Sequence, residues 1–123
     1  MDYFDAAEKA CKCGCGLNLV DRNNDFLRAL NTARDLYGAP MEATSMTRCE
    51  PHNTEIGGAP RSAHMDGRAA DIRCSNMEAR MNMVKCFIAA GFRRIEISPV
   101  HIHVDMKKGA RDAFMIKTGM GIV

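Results

Sequence analysis

Phe92-Arg93-Arg94-Ile95-Glu96-Ile97-Ser98-Pro99-Val100-His101-Ile102-His103-Val104-Asp105-Met106 decides the fold. Apolar and polar residues alternate over 94–97 and 100–106, the period of a half-buried strand. The spacing predicts strands over 92–97 and 100–106, broken at Pro99, which cannot donate to a sheet ladder. So short a break suits an antiparallel hairpin, because parallel neighbours need a long crossover. Strand alternation also puts His101, His103 and Asp105 on one face.

Working outward, Asp66-Gly67 is a turn signal, and Ala69 to Cys74 reads as a short buried strand. Ser75-x-x-Glu78 has the form of a capping box. It precedes a helix whose Met77, Met81, Val84 and Ile88 are expected to face the core, up to Gly91. Phe26, Leu30, Ala33 and Tyr37 recur at helical spacing. They predict a helix over 25–37, capped by Asn24 and stopped by Gly38 and Pro40. Met41 to Arg48 reads as a strand, residues 49–63 as a loop, and Phe114 to Ile116 as a further strand. The order is helix, strand, loop, strand, helix and paired strands. It favours an α+β domain, a small antiparallel sheet with flanking helices, over a doubly wound parallel sheet. No repeat, low-complexity tract or linker divides the chain, so residues 1–123 are expected to form one domain.

Composition narrows the function. The 123 residues carry 17 Lys and Arg against 15 Asp and Glu, a net charge of +2. That is too balanced for a nucleic-acid groove, and no nucleic-acid partner is expected. With 46% hydrophobic and 26% charged residues the chain is expected to fold. No apolar run is long enough to cross a bilayer, so no membrane insertion is expected. Met1-Asp2-Tyr3-Phe4-Asp5 lacks the basic and apolar regions of a secretory signal, so synthesis in the cytoplasm is expected. Six Cys and ten Met stand out. Cys11, Cys13 and Cys15 alternate, and Cys49 follows Arg48. Together they could bind a structural zinc, although the two-residue gap of a zinc knuckle is missing. Pairing of Cys49 with an N-terminal cysteine, or simply reduced thiols, are the alternatives. Cys74 and Cys86 read as small apolar core fillers.

The chemistry concentrates in Ser62-Ala63-His64-Met65-Asp66-Gly67-Arg68-Ala69-Ala70-Asp71 and in His101-Ile102-His103-Val104-Asp105. The turn at Asp66-Gly67 can bring His64 toward Asp71. Two imidazoles and a carboxylate are a common ligand set for a catalytic zinc, with a fourth position left for water. Residue types alone leave satisfied or solvated histidines equally open. His52, beside Asn53, reads as a loop residue.

Ser62-x-His64-x-x-Gly67-x-Ala69-x-Asp71, followed by a strand histidine about thirty residues on, resembles the zinc D-Ala-D-Ala carboxypeptidases. That peptidase M15-like family also includes L-alanyl-D-glutamate endopeptidases of phage lysis. The resemblance covers most of the chain. It runs from Cys11-Lys12-Cys13-Gly14-Cys15-Gly16 through Thr44-Ser45-Met46-Thr47-Arg48, His52-Asn53 and Gly57-Gly58 to His103-Val104-Asp105. The Cys-rich start is typical of its small single-domain branch. It implies a hedgehog/DD-peptidase-like fold and one Zn2+ per chain held by His64, Asp71 and His103. It implies Arg48 and Ser62 as substrate-binding residues. The substrate it implies is the peptidoglycan stem peptide, met after release from the cell or in a phage particle. A monomer is expected.

Several relatives carry an acid three positions before the last ligand, where this chain has Val100. His101 is therefore expected to be the catalytic base, taking a proton from the attacking water and, with Arg48, stabilising the oxyanion. Asp105 and Glu96 are the alternatives, Asp105 also as the partner that orients His103. The missing acid leaves a second function open, a non-catalytic zinc-containing cell-wall binding module. A Cys-cluster zinc protein that binds nucleic acid is a third, disfavoured by the charge.

Overall fold

The hairpin forms as its alternation requires. In the computed structural model, which describes residues 1–116, strand β3 (Arg94–Ile97) runs antiparallel to β4 (His101–Asp105). Residues 117–123 of the span read as one domain lie outside the described part. Ser98 closes the turn: its amide and its hydroxyl both donate to the His101 carbonyl. On the other side β4 pairs antiparallel with β2 (Ala69–Arg73), which pairs with the short β1 (Ala43–Ser45). The sheet order is β1-β2-β4-β3-β5. Among the described residues, only the edge strand β5 (Ala113–Ile116) runs parallel to its neighbour, β3. The architecture is the expected small α+β domain, antiparallel except at that edge.

Two helices cover one face of the sheet. Helix α2 (Asn24–Tyr37) follows its apolar spacing and buries Phe26, Leu30 and Ala33. It ends at Gly38, whose φ of 73° is the left-handed value a helix stop favours. Helix α4 (Met77–Ala89) buries Met83 and Phe87. Phe92 joins the two helices, meeting Phe26 and Phe87 edge to face with ring centroids 6.0 and 5.7 Å apart. Ile72, Ile102 and Val104 rise from the sheet into this core.

Some local expectations need correction. In α4 the core side is Met83 and Phe87, with Ala79, Val84, Cys86 and Ala90 packed against it, while Met77, Met81 and Ile88 are exposed. Apolar residues surround most of this helix, so helical spacing alone selects the wrong stripe; contact with α2 decides it. The cap is the Asn76 side chain, which accepts from the Ala79 amide, not Ser75. Asn23 takes the capping position of α2 expected of Asn24, though without a side-chain cap bond; its side-chain amide instead donates to the Leu19, Asp66 and Gly67 carbonyls. The strand expected over 41–48 is cut to three residues. The Thr47 amide is diverted to the Lys9 carbonyl, and the Met46 carbonyl to a histidine ring. The region expected as loop contains helix α3 (Glu50–Glu55), begun by Pro51 in its first turn, where a missing N–H costs nothing.

The N-terminal segment carries helix α1 (Ala6–Lys9), closed by a reciprocal capping box between Asp5 and Glu8. Arg68, buried, clamps the sheet to α2. It forms a two-pronged pair with Asp25 at 3.0 and 2.7 Å and donates through Nε to the Met106 carbonyl at 2.7 Å. The Arg68 hydrogen bond holds the Asp25 carboxyl down at about 2. No helix among the described residues is long and apolar enough to cross a membrane.

Candidate metal centre and substrate cleft

The helices occupy one face of the sheet; strand alternation sends the polar residues of the same strands to the other. Register then lines them up. Asp71 of β2 lies opposite His103 of β4, and Glu96 of β3 lies opposite His103 on its other side. Directly opposed residues of antiparallel strands share a face about 5 Å apart, so Asp71, His103 and Glu96 form a row across the sheet. His101 and Asp105 flank it along β4 on the same face.

His64 comes from outside the sheet, on a single turn of 3-10 helix over Ala63–Asp66. Ser62 starts that turn, its hydroxyl accepting from the His64 amide at 3.2 Å. Gly67 ends it with a φ of 70°. This is the Asp66-Gly67 turn, and it returns the chain into β2. The Met46 carbonyl, 2.6 Å away, can only accept, so His64 Nδ1 carries the hydrogen. Nε2 is thereby left facing the row, 3.4 Å from Asp71 Oδ1.

His103 is held from both sides, Nδ1 at 2.8 Å from Asp71 Oδ1 and Nε2 at 2.7 Å from Asp105 Oδ2. Asp105 is buried and fully engaged: its other oxygen accepts from Arg94 Nε at 2.6 Å and from the Lys107 amide at 3.0 Å. These contacts explain the charge states. Burial disfavours the charge on Asp71, but hydrogen bonds from His103 and His64 outweigh it and hold the carboxyl well below the usual range. Burial also works against charge on His103, yet Asp105 and Asp71 push the imidazole up to about 9. Asp105 is likewise held down at about 2 by His103, the Lys107 amide and Arg94, against burial.

The donor set fits a tetrahedral zinc. One ligand atom each from His64, Asp71 and His103 lies within 4.8 Å of the other two. Ligands about 2.0–2.1 Å from zinc stand roughly 3.3 Å apart, near the 3.4 and 2.8 Å seen from Asp71 Oδ1 to the two rings. His64 Nε2, Asp71 Oδ1 and His103 Nδ1 are the atoms that would hold such an ion. The Asp105 contact to Nε2 supplies the carboxylate that metal-bound histidines ordinarily use to fix their ring. Asp105→Asn should therefore weaken zinc binding about 10- to 100-fold without abolishing it, measured by competition with a chelating indicator.

The three groups open into a cleft of about 760 Å³, which Arg48, Ser62, Glu96 and His101 also line. Arg48 is anchored by its own backbone, its amide donating to the His64 carbonyl at 3.0 Å. Its guanidinium donates to Asn53 Oδ1 at 3.0 Å, and buried Asn53 is held in turn by the Ala59 carbonyl at 2.8 Å. Gly58 packs so closely that a Cβ there would lie 2.1 Å from Asn53 Oδ1. His52 lies on α3 and is not among the residues lining the cleft. Sequence reasoning missed Arg94, Asn53 and the Met46 carbonyl. Arg94 was readable, since it shares the alternation of Glu96. The other two depend on how distant loops close.

Two imidazoles and a carboxylate thus converge in one open cleft of a small α+β domain. The family model described as Peptidase M15 matches residues 2–105, and the chain belongs to that family. M15 peptidases are zinc-dependent hydrolases, so this chain is a member of a metallopeptidase family. No curated protein matches the chain.

Proposed function

We propose that this protein is a zinc peptidase of the bacterial cell wall. It would hydrolyse a peptide bond of the peptidoglycan stem peptide, as a D-Ala-D-Ala carboxypeptidase or an L-Ala-D-Glu endopeptidase, in phage or prophage lysis. The observation that carries the reading is the convergence of His64 Nε2, Asp71 Oδ1 and His103 Nδ1 beside Arg48 in one open cleft. His64, Asp71 and His103 would hold the zinc. When bound, the ion supplies a Lewis acid that polarises a carbonyl and lowers the pKa of water toward neutrality.

The chain's own residues do the rest. Arg48 presents a rigid fork suited to a substrate carboxylate or to the oxyanion. Asn53 and Ser45 hold that fork in place. Ser62 lines the same wall and can meet the substrate backbone. His101 takes the proton of the attacking water and returns one to the leaving amine. Glu96, opposite His103, is the alternative base. Asp105 is spent on His103, Arg94 and Lys107 and acts by positioning the His103 ring.

Incubating the zinc-loaded protein with defined muropeptides, followed by mass spectrometry, tests the function and names the bond. New amine termini are expected. Zinc and peptidoglycan binding without them would instead favour a non-catalytic cell-wall module. His101→Ala should lower kcat by roughly 10²–10⁴-fold, the usual worth of a general base, with zinc content retained. Glu96→Gln should cost far less; the reverse order would transfer the role of base to Glu96.

A further inference from the structure

The cleft makes no use of the cysteine-rich loop, yet that loop is built as closely as the cleft. Cys11 Sγ lies 3.4 Å from Cys13 Sγ and 3.7 Å from Cys49 Sγ, and Cys13 Sγ lies 3.6 Å from Cys49 Sγ. With Cys15 included, all four sulfurs lie within 4.8 Å of one another. Sulfurs about 2.3 Å from a tetrahedral zinc stand roughly 3.8 Å apart, close to the three distances found. Disulfides would gather sulfurs two by two; here four converge on one point.

The backbone shows how cysteines without a two-residue gap reach this arrangement. Gly14 and Gly16 take left-handed φ values of 89° and 82°. They turn the loop twice, so that alternate cysteines face one centre. Cys11 is buried, and the Cys49 amide donates to its sulfur at 3.4 Å, a contact that favours a thiolate. The fourth sulfur arrives from far along the chain because the N-terminal segment is docked there. The Thr47 amide donates to the Lys9 carbonyl at 3.1 Å, and the Leu19 amide to Thr47 Oγ1 at 3.0 Å.

We propose that Cys11, Cys13, Cys15 and Cys49 form a second metal site, a closed four-thiolate site for a structural Zn2+. Zinc takes four thiolates, the thiol protons pass to solvent, and no electron is transferred. Four sulfurs leave no open position, so the site stabilises and does not catalyse. Its place gives it a purpose. Cys49 follows Arg48 and begins α3, which carries Asn53. A metal there would pin the N-terminal loop to the backbone that presents the cleft arginine.

The proposal stands apart from the cleft reading, and the test separates them. Reduced, zinc-supplemented protein should contain two zinc ions per chain by elemental mass spectrometry. The Cys13→Ser/Cys15→Ser double variant should contain one, and so should His64→Ala/His103→Ala. Loaded with cobalt(II), the wild type and the histidine variant should show sulfur-to-cobalt charge-transfer absorption, and the cysteine variant should not. A second measurement needs no cysteine variant to fold: a mercurial thiol reagent added to wild type should release one zinc as four thiols react. One zinc per wild-type chain, lost entirely in the histidine variant, would overturn the proposal. Reaction of the four clustered thiols without release of metal, disulfides within the quartet of freshly reduced protein, or iron bound in place of zinc would do the same.

Discussion

His103→Ala should abolish cell-wall cleavage, lowering kcat/KM by roughly a thousandfold or more, about 4 kcal/mol of transition-state stabilisation. The size follows from how much one ring organises. His103 stands at the centre of the row across the sheet, between Asp71 and Glu96. Its Nδ1 is the third proposed ligand atom, and its Nε2 is the sole link from that ligand set to Asp105. Without it Asp71 loses its nearest partner, and His64 Nε2 faces one carboxylate where it had a ligand set. Two ligands are too few to hold a catalytic zinc firmly. The fold should survive, because the ring lies on the cleft face and the core residues Ile102 and Val104 point the other way. The measurement is muropeptide turnover beside zinc content and a thermal melt. Cleavage at the wild-type rate with a normal melt would sink the assignment of the metal centre.

Gly67→Ala should be among the most destabilising alanine substitutions in the chain. Gly67 has a φ of 70°, and a Cβ there would lie 2.5–2.6 Å from the backbone of Leu19. The left-handed conformation costs an L-residue about 1–2 kcal/mol. Forcing backbone apart adds roughly 1–3 kcal/mol, so the total is about 2–5 kcal/mol. For a domain of this size that lowers Tm by on the order of 10 °C or more. Gly38→Ala is the matched control. It has a similar φ of 73° with nothing within 4 Å of the added Cβ, and should cost only the conformational part, about 1–2 kcal/mol. Equal melts for the two variants would show that the packing against Leu19 carries no energy. Because Gly67 ends the turn that presents His64, its substitution should also weaken cleft zinc binding. Gly38→Ala should leave that binding unchanged.

How far the site was legible in advance follows from the range of the interactions. His101, His103 and Asp105 share a face because strand geometry has a period of two, a local rule that a single segment obeys. The turn that returns His64 toward Asp71 is equally local, set by Asp66-Gly67. The stripe of α4 that enters the core was not legible. Met77, Met81, Val84 and Ile88 keep helical spacing as well as Ala79, Met83, Phe87 and Ala90 do. Only the arrival of α2 and Phe92 chooses between them. The capping residues were misplaced by one position for a similar reason: Asn23 and Asn76 win over their neighbours through where the chain enters each helix.

The α+β class, the hairpin at Pro99 and the polar face of β4 follow from local rules, since backbone sterics and side-chain period act over a few residues. The sequence's resemblance to a peptidase family singled out His64, Asp71, His103 and Arg48. Tertiary structure alone decided which nitrogen of each histidine faces Asp71, because those choices belong to Met46 and Asp105. It also brought Asp105 into hydrogen bonds with His103, Arg94 and the Lys107 amide. The cysteines show the division most plainly. Their spacing left metal, disulfide and free thiol open, because Cys49 is distant in sequence. Docking of the N-terminal segment against Thr47, with two left-handed glycines in the loop, brings four sulfurs to one point.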